Sequence, residues 1–186
     1  MKGNLKVPDE HKKKAPIEIN LALIIVSTTR FNEMKSGKRS SDKTLPKVER
    51  LLKNEQSIKL AFNTIIPDSE DEIKDVTLRL LKNPMIDAIM FSGGTGLSPK
   101  DITYETLEPK LEKKFSGFGE LFRTLSYNEI GTSAMLSRAT AGILQGKKKK
   151  VAIFLLPGSP NAIILALQYI LIPELGHILY LINKEE

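Results

Sequence analysis

The sequence predicts an α/β domain of three layers, in which a doubly wound, mostly parallel sheet carries helices on both faces. Four short, almost continuous apolar runs have the length of buried strands, and each ends at Ser, Pro or Gly. Helical patterns lie between the runs, and this alternation is typical of right-handed βαβ units. The four predicted strands are Ile19–Val26, Ile58–Ile66, residues 85–91 and residues 151–156.

The predicted helices follow from apolar spacing and from residues that start or stop a helix. Ser69, with Glu72 three residues later, predicts a capped helix start, and Asn83 followed by Pro84 predicts its end. The other candidates have apolar residues at helical spacing, and the last two contain an internal proline. These candidates are residues 42–54, 103–114 and 162–181.

Composition excludes several classes of chemistry. A length of 186 residues with 41% apolar and 27% charged residues fits one core of ordinary size. The absence of cysteine excludes disulfides, a thiolate nucleophile and cysteine-bound zinc or iron–sulfur clusters. The only histidines, His11 and His177, lie too far apart in sequence to suggest a multi-histidine metal site. The apolar stretch 162–182 is interrupted by polar residues and a proline, and the start lacks an apolar run. We therefore expect a cytoplasmic protein without membrane contact.

The net charge of +6 is concentrated in two places, the first 16 residues and the four lysines 147–150. The rest of the chain is close to neutral, which argues against a continuous nucleic-acid-binding face. Residues 1–17 are polar, rich in lysine and punctuated by proline. We therefore divide the chain into a basic arm, residues 1–17, and a single α/β domain, residues 18–186.

The loops that follow the strands are where chemistry is expected, because ligands bind outside the carboxyl ends of the strands in such a sheet. The loop after the third strand contains Gly93, Gly94 and Gly96, which let backbone amides approach a phosphate, with hydroxyl donors from Thr95 and Ser98. The spacing fits neither a Walker A loop nor a dinucleotide fingerprint. An ordinary tight turn is the alternative.

Two carboxylates follow different strands and could converge on a hard cation such as Mg²⁺. They are Asp68 and Asp101. Each has an alternative role as a helix cap, Asp68 for the helix near Ser69 and Asp101 for the helix that contains Thr103. Four cationic side chains could bind anions or could simply be solvated: Arg30, Lys100, Arg123 and Arg138.

Several segments, in their order along the chain, together resemble the MoaB/MogA family of molybdenum-cofactor biosynthesis, which includes the G domain of gephyrin. The resemblance is nearest to the MoaB branch and covers roughly residues 12–182. The segments are STTR from residue 27, PD from 67, SGGTGLSPKD from 92, GFGELFR from 117, MLSRATAGI from 135 and LPGSPNA from 156.

The resemblance implies a three-layer molybdopterin-binding fold and a molybdopterin adenylyltransferase that uses Mg²⁺ and ATP to place AMP on the terminal phosphate of molybdopterin. It implies that Asp68 and Asp101 are the catalytic and metal-binding acids. It also implies a homo-oligomer, trimer or hexamer, and leaves open contacts with other cofactor-biosynthesis proteins. The implied binding residues for pterin and nucleotide are Thr28, Ser92, Gly93, Gly94, Thr95, Gly96, Ser98, Ser137, Arg138, Pro157, Gly158, Ser159 and Pro160.

The chain departs from the family pattern at three places. Thr28 stands where many members have Asp, Thr44 and Leu45 stand where many have a Ser-Gly pair, and Tyr104 replaces a common proline. Two alternatives on the same fold therefore remain: a non-catalytic molybdopterin-binding scaffold and a CinA-like nucleotide pyrophosphatase. A nucleic-acid binder has only the arm and the lysine run in its favour.

A second feature of the sequence also predicts an oligomer, because the C-terminal segment is apolar on several faces. We expect part of this segment, and the basic arm, to contact another subunit. The apolar residues are Ile163, Ile164, Leu167, Ile170, Leu171, Ile178, Leu179, Leu181 and Ile182.

Overall fold

The computed structural model describes Pro16 and residues 18–184, and the strands of this part of the chain form one five-stranded sheet. The strands are β1 Ile19–Val26, β2 Ile58–Ile66, β3 Ala88–Ser92, β4 Thr140–Gln145 and β5 Lys150–Leu156. The order across the sheet is β2-β1-β3-β5-β4. Neighbouring strands are parallel except β4 and β5, which are antiparallel. The mostly parallel α/β fold is therefore confirmed.

Two strand predictions agree with the structure at both ends, and one strand was not predicted. The predicted third strand began at Met85, three residues before β3, but the chain turns at Pro84 and Met85 before it joins the sheet. The unpredicted strand is β4, which pairs with β5 through a hairpin closed by a hydrogen bond from the Gly146 amide to the Lys149 carbonyl, 2.9 Å long. The lysine run 147–150 is thus the tip of this hairpin and the start of β5.

Seven α-helices, two 3₁₀ turns and one π turn complete the described part of the chain. The 3₁₀ turns are Glu108–Lys110 and Gly131–Leu136, and the π turn Leu167–Leu171 joins α6 to α7. The α-helices are α1 Thr28–Lys35, α2 Thr44–Leu52, α3 Glu70–Lys82, α4 Thr103–Leu107, α5 Ser116–Ile130, α6 Pro160–Ala166 and α7 Ile172–Asn183.

Each of the four predicted helical segments contains a helix, but the observed bounds and caps differ from the predicted ones. Helix α3 begins after Ser69 and ends before Asn83 as expected, but the Ser69 side chain makes no capping hydrogen bond. The helix predicted over 103–114 was wrong beyond residue 110, because the chain becomes extended at Leu111 and Lys114 bridges to Gly142 of β4. Helices α1 and α5 were not predicted.

Helices cover the sheet on both faces, as the three-layer prediction requires. One face packs against α2, α5 and the C-terminal helices through buried side chains such as Val48, Phe122 and Leu171. The opposite face packs against α3 and α4 through residues such as Ile73 and Leu107. The parallel strands β1, β2, β3 and β5 therefore end at a common edge of the sheet, and helices cover both faces of the sheet. The predicted arm, residues 1–17, lies outside the described residues except for Pro16, and the division into arm and domain stays a prediction.

The C-terminal helical segment Pro160–Asn183 is long and apolar enough to cross a membrane by length and composition alone, with a mean hydropathy of 1.8. In the structure, 44% of the most apolar 18-residue stretch of this segment is buried, and Leu167, Leu171 and Leu175 have no exposed surface. A helix that packs on a sheet in this way satisfies the same criterion as a membrane span, so we interpret it as part of the core. Pro173 has no amide N–H to donate and would disturb a regular helix, and the π turn lies just before it.

The predicted contact between part of the apolar C-terminal segment and another subunit stays a prediction, but the apolar character of the segment is largely explained by the core of the chain itself. Most of its apolar residues, including Ile163, Ile170 and Leu179, are buried within the chain itself. Leu181, 48% exposed, is the exception among them with a large exposed fraction. Five of the eleven large apolar side chains that are exposed in the described part of the chain lie on α5 and the turn after it, and we call this group the α5 apolar cluster: Leu121, Tyr127, Ile130, Met135 and Leu136.

Candidate active site

The loops that follow β1, β2, β3 and β5 meet around a cavity of about 470 Å³ at the carboxyl edge of the sheet. It contains nine of the predicted site residues. A larger cavity of about 570 Å³, lined by residues such as Lys47 and Tyr169, contains none of them. We assign the site by its chemistry rather than its size. The residues that line the site cavity are Val26, Ser27, Arg30, Asp68, Gly93, Gly94, Thr95, Gly96, Asp101, Ile130, Ser133, Leu136, Ser137, Pro157 and Gly158.

The glycine loop after β3 adopts a backbone that other residues could not follow. Gly93 has φ +117°, and a Cβ there would lie 2.3 Å from the Val26 carbonyl oxygen. Gly94 has φ +67°, and a Cβ there would lie 2.2 Å from Thr103 Oγ1. These close approaches let the loop fold tightly over the ends of β1 and α4.

The amides of this loop are arranged for an anion. The Gly93 amide donates to the Leu156 carbonyl at 3.0 Å, which ties the loop to β5. Among the described residues, the amides of Gly94, Thr95 and Gly96 have no protein acceptor. Successive backbone amides around a cavity bind anions well, and buried amides left without any partner are costly. The loop therefore has the chemistry of a phosphate cradle, beyond that of a plain turn.

Asp68 is held by the start of α1. Its Oδ2 accepts hydrogen bonds from the Thr28 amide and the Thr28 hydroxyl, both 2.8 Å long, and its own amide donates to Thr28 Oγ1 at 3.0 Å. Ser27 is the N-cap of α1, and Asp68 adds an acceptor for the first amide of this helix. Asp68 therefore does not cap the helix near Ser69, which was the predicted alternative. No described residue donates to Asp68 Oδ1.

Asp101 is held by its own loop. Its Oδ2 accepts a hydrogen bond from the Ser98 amide at 3.0 Å, and the same oxygen lies close enough to Gly96 that a Cβ there would be 2.7 Å away. Helix α4 begins after Ile102 without a side-chain cap, so the capping alternative for Asp101 is not observed. As with Asp68, one carboxylate oxygen is anchored and Oδ1 has no donor among the described residues.

Arg30 is the cationic side chain among the residues that line the cavity. Its Nη1 lies 3.3 Å from Asp42 Oδ1, and the Asp42 side chain is only 5% exposed. Asp42 also caps α2, because its carboxylate oxygens accept from the amides of Thr44 at 3.0 Å and Leu45 at 2.9 Å. The guanidinium is therefore fixed at the cavity wall by a residue that is itself locked in place.

Six of the predicted binding residues do not line the cavity. The Thr28 amide donates a hydrogen bond to Asp68, and the Ser98 amide donates one to Asp101. Ser92 is fully buried at the end of β3, and its hydroxyl has no hydrogen-bond partner among the described residues. Ser159 and Pro160 begin α6 one step beyond the lining residue Gly158.

The sixth of these residues, Arg138, lines a neighbouring cavity of about 320 Å³ that shares Ser137 with the site cavity. Its guanidinium donates to the carbonyl oxygens of Thr95 and Gly96 and pairs with Glu105. The hydrogen bond from Arg138 holds the pKa of the Glu105 carboxyl below its ordinary value of 4.5. Arg138 also stacks on Tyr104, with 4.6 Å between its Cζ and the ring centroid.

Part of the cavity wall comes from residues that were not predicted. Ile130, Ser133 and Leu136 come from the end of α5 and the 3₁₀ turn after it. Ser27 and Arg30 stood in the first loop, and their place in the wall follows from α1, which was not predicted. Only the family motif around residue 135 gave a signal for the turn, and it pointed to Ser137 and Arg138.

No group of three or more His, Asp or Glu side chains in the described part of the chain could hold a metal ion on its own. The site instead offers two single carboxylates from different loops beside the phosphate-type cradle. That donor set suits Mg²⁺, which usually takes one or two protein carboxylates and completes its shell with water and substrate phosphates.

Comparisons with known proteins identify the family of this chain. The family described as "probable molybdopterin binding domain" matches residues 22–177. A probable molybdopterin adenylyltransferase of Methanocaldococcus jannaschii is 44% identical over 161 residues, 87% of this chain and 92% of that protein. Molybdenum cofactor biosynthesis protein B of Bacillus cereus is 38% identical over 177 residues, 95% of this chain and 98% of that protein.

Solved structures give the same result at the level of the fold. The crystal structure of the tungsten cofactor synthesizing protein MoaB from Pyrococcus furiosus superimposes with a TM-score of 0.77 at 35% identity. The match covers 91% of this chain and 100% of that one. With its glycine loop, two anchored carboxylates and nearly full-length relatives, this chain belongs to the molybdopterin-binding family of molybdenum-cofactor biosynthesis proteins, the MoaB/MogA family.

Proposed function

We propose that this chain is a molybdopterin adenylyltransferase that transfers AMP from ATP to the terminal phosphate of molybdopterin. The observation that carries the proposal is the convergence, in one cavity, of Asp68, Asp101 and the acceptor-free amides of the glycine loop. The names of the relatives from M. jannaschii and B. cereus support the same activity and pathway.

The chemistry needs no covalent nucleophile from the protein. An oxygen of the pterin phosphate forms a bond to the α-phosphorus of ATP, and the bond from that phosphorus to the β-phosphate bridging oxygen breaks. Pyrophosphate leaves, so atoms and charge balance without a redox partner. A phosphate monoester is already ionised near neutral pH, so the protein must align two anions and offset their charge. A site without cysteine or histidine is sufficient for that task.

Each group in the cavity has a role in this scheme. The amides of Gly94, Thr95 and Gly96 would bind phosphate oxygens, and Arg30 would neutralise part of their charge. Gly158 closes the opposite wall, where a Cβ would lie 3.3 Å from Gly93 Cα. The close contact of the two loops keeps the phosphate region narrow.

Mg²⁺ is the cofactor that best fits the two carboxylates. Asp68 and Asp101 would hold it through the oxygens that have no protein donor, and the ion would offset phosphate charge in the transition state. The anchored oxygens, bonded to Thr28 and to the Ser98 amide, keep both carboxylates in place before the substrates arrive.

The test is incubation of the purified chain with molybdopterin, ATP and Mg²⁺. We expect adenylylated pterin and pyrophosphate in equal amounts, and no pyrophosphate when the pterin is left out. Pyrophosphate or phosphate released from the nucleotide without pterin would favour the CinA-like alternative. Pterin binding without turnover would favour the scaffold. Asp101→Asn serves as the site-directed control in the same assay.

We also propose that the chain works as a cytoplasmic homo-oligomer. The α5 apolar cluster supports this proposal because several large exposed apolar side chains on one helix and the turn after it are typical of a surface that meets a partner. Ile130 and Leu136 belong to this cluster and also line the cavity. A second copy seated on the cluster would therefore shield one rim of the site from water.

A further inference from the structure

The glycine loop is held from behind by one side chain, Arg138. Its Nε donates to the Thr95 carbonyl at 3.1 Å, and one Nη donates to the Gly96 carbonyl. Both terminal nitrogens contact Glu105, one of them at 3.3 Å from Oε2. The guanidinium Cζ also lies over the ring of Tyr104. Four groups from two segments, the glycine loop and α4, thus fix the position of this side chain.

These contacts determine which way the loop presents its polar groups. Two carbonyl oxygens of the loop, those of Thr95 and Gly96, are turned towards Arg138, and Arg138 does not line the cavity. The amides that border the cavity have no acceptor among the described residues. A loop whose carbonyls are held by a cation on its outer side cannot easily rotate those oxygens towards a bound phosphate, where they would repel it.

Arg138 also joins the two walls of the cavity. The preceding residue, Ser137, lines the cavity, and the Arg138 side chain crosses from that wall to the glycine loop. A planar fork of donors suits this position, because it can hold two carbonyls and a carboxylate at once. A lysine could supply the charge but could not make this set of bonds.

We propose that Arg138 is a positioning residue that acts on the phosphates only through the glycine loop, with Glu105 and Tyr104 holding its guanidinium in place. This inference rests on the proposed function for the identity of the ligand. A positioning role and a direct substrate contact predict opposite effects of removing the Glu105 carboxylate. If Arg138 positions the loop, phosphate binding weakens. If Arg138 contacts the ligand directly, binding does not weaken, because Arg138 is freer to reach the ligand.

The experiment compares Arg138→Lys and Glu105→Gln with Arg79→Lys as the matched control. Arg79 also lies over an aromatic ring, 5.9 Å from the centroid of Phe62, but it does not line the cavity. The measurements are the affinity for inorganic pyrophosphate with Mg²⁺ by calorimetry, KM for ATP and kcat in adenylyl transfer, and the melting temperature.

We expect both Arg138→Lys and Glu105→Gln to weaken pyrophosphate binding and raise KM for ATP by about tenfold, with a smaller effect on kcat. Arg79→Lys should match the unmodified chain. Unchanged or tighter pyrophosphate binding in Glu105→Gln would overturn the proposal. So would unchanged binding in Arg138→Lys.

Two further outcomes keep the inference separate from the proposed function. A wild-type chain that binds pyrophosphate but transfers no AMP would refute the adenylyltransferase, while the order of affinities would still test Arg138. If Arg138→Lys does not fold, Tyr104→Leu and Glu105→Gln carry the test, and normal affinity in both would overturn the positioning role.

Discussion

Thr28 and Asp68 hold each other through hydrogen bonds in both directions. The amide and hydroxyl of Thr28 lie 2.8 Å from Asp68 Oδ2, and the Asp68 amide lies 3.0 Å from Thr28 Oγ1. The arrangement joins the end of β1 to the end of β2 and fixes one carboxylate oxygen. The Thr28 hydroxyl therefore helps to orient the Asp68 carboxylate.

The first prediction concerns this pair. Thr28→Val keeps the side-chain shape and removes the hydroxyl, so Asp68 loses one donor and its amide loses an acceptor. Because a hydrogen bond to a charged group contributes more than a neutral one, we expect kcat to fall by about tenfold. Thr29→Val is the control, since Thr29 is exposed on the same helix. Equal kcat in the two variants would contradict the orienting role.

The second prediction concerns the carboxylates themselves. Asp68→Asn or Asp101→Asn removes a negative charge from the proposed Mg²⁺ site but keeps an oxygen for the anchoring bonds. We expect turnover to fall by about 10²–10³-fold, the scale of losing one contact in a preorganised site. The melting temperature should change little, and Asp75→Asn on the exposed side of α3 should behave like the unmodified chain. A large loss of stability without a specific loss of turnover would assign the two residues to a structural role.

The strands and the loops at their carboxyl ends could be predicted because buried parallel strands are uniformly apolar and end abruptly. That is why Asp68 and the glycine loop were placed on the correct edge. Helix α1 could not be predicted in the same way, because it buries no side chain and has no apolar face. Strand β4 is short and lies at the sheet edge, and its sequence was interpreted as part of the family motif from residue 135 and not as a strand.

The contacts that orient the site were beyond sequence analysis because they join distant parts of the chain. Asp68 accepts from the first amide of α1, 40 residues away in sequence, and Arg138 reaches Thr95 across 43 residues. A pattern of residue types cannot tell whether an arginine faces a ligand or a carbonyl. The 3₁₀ turn that places Ser133 in the wall has no apolar period that would reveal it.

The third prediction uses the close approach of Gly96 to Asp101. A Cβ at residue 96 would lie 2.7 Å from Asp101 Oδ2, so Gly96→Ala should push the carboxylate out of position. We expect about a 10²-fold loss of kcat, since small misplacements at a reacting centre are costly. Gly117→Ala is the control, because a Cβ there has no atom within 4 Å. It should leave activity unchanged. The same comparison cannot use Gly94, where a Cβ would also collide with Thr103 and threaten the fold.

The fourth prediction concerns the pH dependence of stability. The pKa of Glu105 is lowered in the folded chain, mainly by the hydrogen bond from Arg138, so its contribution is present above the unfolded value of about 4.5 and is lost as pH falls through the lower folded pKa. The melting temperature of Glu105→Gln should therefore lie below that of the unmodified chain near pH 7. The gap should close as the pH falls well below 4.5. Glu112→Gln, an exposed control, should show no such convergence. A gap that stays constant with pH would show that the ion pair does not stabilise the fold.

The last prediction concerns assembly. Met135 is 77% exposed within the α5 apolar cluster, and Met85 is 62% exposed on the turn before β3. If a second copy covers the cluster, Met135→Glu should lower the oligomer order measured by light scattering, because it buries a charge in an apolar contact. Met85→Glu should leave the order unchanged. Because Leu136 and Ile130 of the cluster also line the cavity, loss of assembly should be accompanied by weaker substrate binding. A monomer for the unmodified chain would contradict the homo-oligomer. An unchanged oligomer in Met135→Glu would show that the subunits meet elsewhere, with the basic arm of residues 1–17 as the next segment to delete.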